Sequence, residues 1–215
     1  MAQRETVKIV TALIIGILIG FSGGWYWQQQ TIVEQKRIIE GFEAAKPLVV
    51  ENGEIRVLAT VNGKYFDTPT RHGVVYEWGK NGEKSIFKAK ATPKEFYNAL
   101  ISLGATPGNN VKIDSPKGTK VEGTIVDVYV TWEGAGKRYS LEEVVENYSA
   151  VIKFGGNLDR SNEYLTGCIL CLDSCAVGIT SNSMVGWKSG MTWVGNEDVL
   201  PPDGTLVYVI FVPQV

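Results

Sequence analysis

The chain is poor in the residues that most chemistry relies on. Its 215 residues include three cysteines and a single histidine, His72. Ser-His-acid hydrolysis would have to recruit that one histidine, and no G-x-S-x-G elbow accompanies it. A metal ligand or general base needs companions, and the only sequence neighbours of His72 are Arg71 and Asp67, so it is expected to be a hydrogen-bonded or solvent-facing side chain. Glycosidase carboxylates pair in space rather than in sequence, which leaves that class open. There is no basic stripe: residues 47–215 carry 16 Lys and Arg against 19 Asp and Glu, so nucleic acid is not an expected partner. Internal repeats, low-complexity tracts and a βαβ unit with a phosphate loop are also missing.

Charge is absent from residues 9–27. Nineteen helical residues reach about 28 Å, enough for a bilayer core. Arg4 and Lys8 precede the run, and Trp25, Tyr26 and Trp27 close it where an interfacial aromatic belt would sit. Phe21-Ser22-Gly23-Gly24 is a poor cleavage signal, so the expectation is an uncleaved anchor with its N-terminus inside the cell. Ala12, Gly16, Gly20 and Gly24 recur every fourth residue on one helical face, the spacing by which membrane helices approach one another closely. The expected partners are therefore membrane lipid and another transmembrane helix or membrane-protein complex. Residues 1–27 are assigned to the anchor, 28–46 to a helical stalk or linker stopped by Pro47, and 47–215 to an outer domain.

That domain reads as mainly β: an antiparallel sheet or sandwich-like unit with two short helices, preceded by one transmembrane helix. Turn signals at Asn52-Gly53 predict a hairpin within 48–60. Thr92-Pro93-Lys94-Glu95 has the form of a capping box and opens a helix that Gly104 stops. Ser140-Leu141-Glu142-Glu143 repeats that logic for a second helix reaching Tyr148. Residues 121–132 predict a strand with large side chains on both faces, hence a central one with Asp127 buried or bound. Residues 206–212 predict an internal final strand. Residues 157–191 show no regular pattern, and Gly108-Asn109-Asn110 is read as a turn.

All three cysteines fall within eight residues, Cys168-Ile169-Leu170-Cys171-Leu172-Asp173-Ser174-Cys175, spaced C-x2-C-x3-C. They could fill three places of a ferredoxin run, but Leu165 stands at the first place and Ala176 at the closing proline. A cubane cluster would need another ligand, such as Asp173, His72 or a second chain. Structural zinc likewise wants four ligands. The alternatives are a structural loop holding one disulfide or none, its thiols buried as small hydrophobes, and a Cys168-x-x-Cys171 dithiol. No cofactor is predicted, an iron–sulfur cluster being the alternative, and no catalytic residue is assigned.

Several blocks resemble the YdjY family: Val61-Asn62-Gly63-Lys64-Tyr65-Phe66, Pro69-Thr70-Arg71-His72, Gly104-Ala105-x-Pro107-Gly108-Asn109-Asn110-Val111, Gly155-Gly156-Asn157 and Thr166-Gly167-Cys168-Ile169-x-Cys171-Leu172-Asp173-Ser174-Cys175. The resemblance runs from about residue 47 to the C-terminus. It implies an exported or membrane-anchored bacterial domain, in the periplasm or outside, and some members carry a ferredoxin-like label. It implies no reaction. Two functions follow as expectations: an anchored accessory or interaction subunit of a membrane complex, or an anchored redox protein using Cys168, Cys171 and Cys175 as an iron–sulfur or dithiol site.

Overall fold

The computed structural model describes residues 46–215. The anchor, the stalk up to residue 45 and the Ala12/Gly16/Gly20/Gly24 face lie outside the described residues. Among the described residues no helix is long and apolar enough to cross a membrane.

Ten strands form one sheet. They are β1 (Leu48–Glu51), β2 (Glu54–Val61), β3 (His72–Tyr76), β4 (Ser85–Ala89), β5 (Val126–Thr131), β6 (Tyr139–Ser140), β7 (Ile152–Phe154), β8 (Cys168–Cys171), β9 (Thr180–Asn182) and β10 (Leu206–Pro213). Their order across the sheet is β6-β5-β10-β2-β4-β3-β8-β9-β7, with β1 also paired to β2. Only β3–β4 and β8–β9 run parallel. The mainly antiparallel β expectation is met, whereas a two-sheet sandwich is not. The first hairpin forms as expected, with Asn52 and Gly53 both at positive φ in its turn.

The sheet wraps around side chains that alternate inward. On β2, Ile55, Val57, Ala59 and Val61 are wholly buried, and β10 adds Val209 and Phe211. Helix α1 (Pro93–Ser102) is the one the capping box predicted: Thr92 and Glu95 exchange side-chain and backbone hydrogen bonds. It packs Phe96 onto Phe211 with ring centroids 4.5 Å apart. Helix α2 (Leu141–Val144) is shorter than predicted, a single turn whose Glu143 accepts from the Ser140 backbone N–H. A third helix, α3 (Leu158–Tyr164), arises where no pattern was visible.

The strand expected over 121–132 begins only at Val126 and lies second from the sheet edge, not at its centre. The reason is Gly123, at φ +117, whose backbone is taken up by a bridge to Pro107. One face of β5 is buried and the other half-exposed, so Asp127 is not buried. It accepts a hydrogen bond from Gln214 Nε2 at 2.9 Å. The final strand is internal as expected, between β2 and β5.

One carboxylate helps hold the β2 end in place. Glu54 is 7% exposed and receives both Arg138 nitrogens, at 2.7 and 3.1 Å, and Arg56 Nε at 2.7 Å. The Arg138 guanidinium, with help from Arg56, outweighs burial and holds Glu54 below the usual carboxylate range. A depressed folded-state pKa adds stability that is present above the unfolded value, about 4.3, and lost as pH falls through the folded one. Glu54→Gln should therefore cost about 1 kcal/mol at neutral pH. That deficit should shrink in acid, as read from chemical denaturation at pH 7 and near pH 3.

Candidate metal centre

The middle of the sheet brings His72 to the cysteines. Strands β3 and β8 pair antiparallel, His72 opposite Cys171, Val74 opposite Leu170 and Val75 opposite Cys168. The register shifts twice, leaving Gly73 and Ile169 as extra residues. In a regular strand, residues three apart face opposite sides. An extra residue changes that phase and re-aims the side chains around it. Cys168 and Cys171 thereby come onto one side with the His72 ring. The imidazole, Cys168 Sγ and Cys171 Sγ all lie within 4.8 Å of one another. His72 Nδ1 is 3.7 Å from Cys168 Sγ, across 96 residues of sequence.

Every sulfur here is a buried free thiol. Cys168 and Cys171 are wholly inaccessible and Cys175 is 2% exposed. The turn after β8 is fastened by side chains. Asn157 Nδ2 donates to the carbonyls of Cys175 at 3.0 Å and Gly178 at 3.3 Å. Ser174 Oγ accepts from Val121 N and donates to the Asn182 carbonyl. The Tyr148 hydroxyl donates to the Leu172 carbonyl. Gly178 leaves space for sulfur: a Cβ there would stand 2.8 Å from Cys171 Sγ.

Charge is arranged around the thiols. Asp173, 2% exposed, accepts from Arg71 Nη2 at 2.7 Å and Nε at 3.1 Å, and the guanidinium lies 5.4 Å over the Trp187 ring. Burial pushes the Asp173 carboxyl above its usual range, and attraction to Arg71 offsets only part of that. Burial would lower Arg71, but the Cys175 and Cys171 sulfurs and the Asp173 carboxylate outweigh it and strengthen the cation. Two guanidinium donors converge on one carboxylate oxygen, the geometry of an ionised pair.

Cys168 and Cys171 are driven apart in acidity. A hydrogen bond from Cys171, joined by His72 and by Asn81 Nδ2 at 3.7 Å, outweighs burial and holds Cys168 well below the usual thiol range. Hydrogen bonding to Cys168 and Cys175, with burial, pushes Cys171 well above it. The thiolate form is thus favoured at Cys168 and disfavoured at Cys171. Ser181, in register with Cys171, keeps a buried hydroxyl without a hydrogen-bond partner among the described residues, as does the Trp187 indole N–H packed in the same cluster.

The cysteines singled out from their spacing are thus brought together. Cys175 lies beside Cys171 but outside the tight triplet, and no disulfide forms. His72 is hydrogen-bonded, as expected, at Cys168 Sγ; the correction is that it has companions, because β3 carries it to Cys168 and Cys171. No spacing in the sequence joins residues 72 and 168; only the strand pairing does.

A His/Cys/Cys triplet with two buried thiols and a partly buried imidazole, at the seam of one mainly β sheet, defines the class of protein as a candidate metal-binding domain. The chain belongs to the YdjY family: the YdjY domain matches residues 49–212. It is 39% identical over 224 residues to an Escherichia coli K12 protein described as "Uncharacterized protein YdjY", covering 98% of each chain. No solved structure matches.

Proposed function

We propose that this protein is a membrane-tethered metal protein in which His72, Cys168 and Cys171 hold a single thiophilic divalent ion. The observation that carries this is the convergence of the three ligand atoms within 4.8 Å. Ligands about 2.0–2.3 Å from one tetrahedral zinc-like ion stand about 3.3–3.8 Å apart, so the His72 Nδ1–Cys168 Sγ pair at 3.7 Å already fits and the widest pair must close by up to about 1 Å. A cubane spreads its thiolates over separate irons and sets them wider. Here Gly178 already stands against Cys171 Sγ, and the fourth thiolate of a cubane does not exist in the chain.

Charge favours a divalent ion. Arg71 and Asp173 cancel each other, His72 ligates as the neutral imidazole, and two thiolates leave −2. A divalent ion closes that balance in a buried site, whereas a monovalent one leaves net charge with little water to solvate it. Cys175, beside Cys171, is the available fourth ligand. Iron in this site would make it an electron carrier. Zinc would make it structural, or with an open fourth position, catalytic. A plain dithiol exchanger is disfavoured because both sulfurs are inaccessible to a partner disulfide.

The tether and the extracytoplasmic location belong to the same proposal. Their support is the uncharged run at 9–27 with its aromatic edge. An accessory role in a larger membrane complex is supported only by the small-residue face Ala12/Gly16/Gly20/Gly24.

The test is metal and sulfide analysis of the full chain purified anaerobically in gentle detergent, followed by Co²⁺ titration of the stripped protein. One equivalent of Zn or Fe without inorganic sulfide is expected, with thiolate-to-cobalt charge-transfer bands saturating at one ion. Acid-labile sulfide would replace this reading with a cluster. Absence of any stoichiometric metal and of cobalt bands would end it.

A further inference from the structure

One margin of the sheet carries large apolar side chains that the fold does not cover. Trp78 is 79% exposed, Leu165 61% and Tyr164 42%. Backbone hydrogen bonds place them together. Tyr76 N donates to the Gly167 carbonyl at 2.8 Å, Lys80 N to Leu165 at 2.9 Å and Asn81 N to Thr166 at 3.2 Å. Gly79 and Gly167 pack backbone to backbone, so the two loops meet as one rigid ridge. Leu165 stands in the left-handed region at φ 54, a conformation that disfavours a leucine. Its backbone caps α3, the N–H donating to the Asn162 and Ser161 carbonyls, while its side chain is left exposed.

The same margin is where the described chain begins. Leu58 N donates to the Pro47 carbonyl, Lys90 N to Leu58 and Glu77 N to Ala89, a continuous row from residue 47 to the residue before Trp78. Lys90 is paired with Glu77, whereas Lys46 and Lys80 enter no ion pair among the described residues. Upstream lie 45 residues, with the uncharged run at 9–27 and only 18 residues between it and Lys46. Eighteen residues reach about 27 Å as a helix and about 60 Å fully extended. The linker length therefore bounds how far the domain can lie from whatever holds residues 9–27.

Resting on the tether reading, we propose that the Trp78–Tyr164–Leu165 margin docks on the headgroup layer of the anchoring bilayer, with Lys46 and Lys80 facing anionic lipid. Tryptophan, tyrosine and leucine are the side chains that partition at that boundary, and lysines supply the attraction to it. Docking orients the metal centre. Leu165 is three residues from Cys168, and Asn81, which contacts Cys168 Sγ, sits in the facing loop.

The test uses the full chain in nanodiscs of anionic phospholipid, with and without brominated acyl chains, and takes the wild type minus Trp78→Phe fluorescence difference to isolate Trp78. Brominated lipid should quench that component at least about twofold, and Leu165→Asp should relieve the quenching. If aqueous iodide quenches Trp78 equally in nanodiscs and in detergent, the docking is wrong. Shielding seen in native membranes but not in pure lipid would mean a protein covers the ridge, which also overturns it. Vesicle flotation separates the two ideas. A chain that floats with Trp78 unquenched keeps its tether and loses the docking, and a chain that does not float loses both.

Discussion

Cys168→Ser is expected to weaken divalent metal binding by at least about 100-fold and to erase the cobalt–thiolate bands. Changing an outer-shell partner already costs about 10–100-fold, so removing a ligand should exceed it. Serine keeps the shape but not the chemistry: its hydroxyl holds its proton where Cys168 is already biased toward thiolate by Cys171, His72 and Asn81. Because Cys168 is wholly buried, a folding defect must be separated from a ligand defect. His72→Gln supplies that control. His72 is only partly buried, so its variant should melt near the wild type in the absence of metal while still failing to bind cobalt tightly. Wild-type affinity in both variants would remove the triplet as the metal centre. Cobalt competition against a chelator of known affinity gives the comparison.

Gly79→Ala should be among the most damaging single changes in the domain. A Cβ there would lie 2.6 Å from Gly167 Cα and 2.7 Å from the Thr166 carbonyl oxygen, and both are backbone atoms that no rotamer change can clear. The loops before β8 and after β3 would have to separate, at about 3 kcal/mol. For a domain of this size that is roughly 6–12 °C in melting temperature. Gly53→Ala is the comparison, since Gly53 stands at φ +78 with nothing within 4 Å of the added carbon. It should lose only the left-handed conformational cost, about 1–2 kcal/mol. Equal melting temperatures for the two variants would show that the ridge yields easily. Because Gly79 and Thr166 flank Cys168 in space, the alanine variant should also bind metal more weakly.

Much of the scaffold was legible because its signals are local. Thr92 with Glu95, Ser140 with Glu143, and Asn52-Gly53 each act within four residues, and all three predicted elements form. The β5 boundary was misread because alternation continues through Thr124 and Ile125, while Gly123 diverts the backbone into a bridge. Residues 157–191 hid α3, β8 and β9. Helix α3 begins from a left-handed Asn157, and β8 is a wholly buried four-residue run whose face is changed by an extra residue. The cysteines showed themselves by spacing. Their fellow ligand could not, since His72 reaches them only through the pairing of two strands, and pairing is not written in either strand alone.

The distance along the chain between residues 72 and 168 has a consequence for maturation. A freshly made polypeptide offers an incoming ion only a short cysteine segment, with no imidazole to complete the grip. On the proposed metal reading, capture waits until both strands have found each other, and all the affinity from the histidine arm is then credited to the folded form. A chain starved of metal should assemble yet stay easier to cut, and loading should protect most strongly the two segments that meet at that seam.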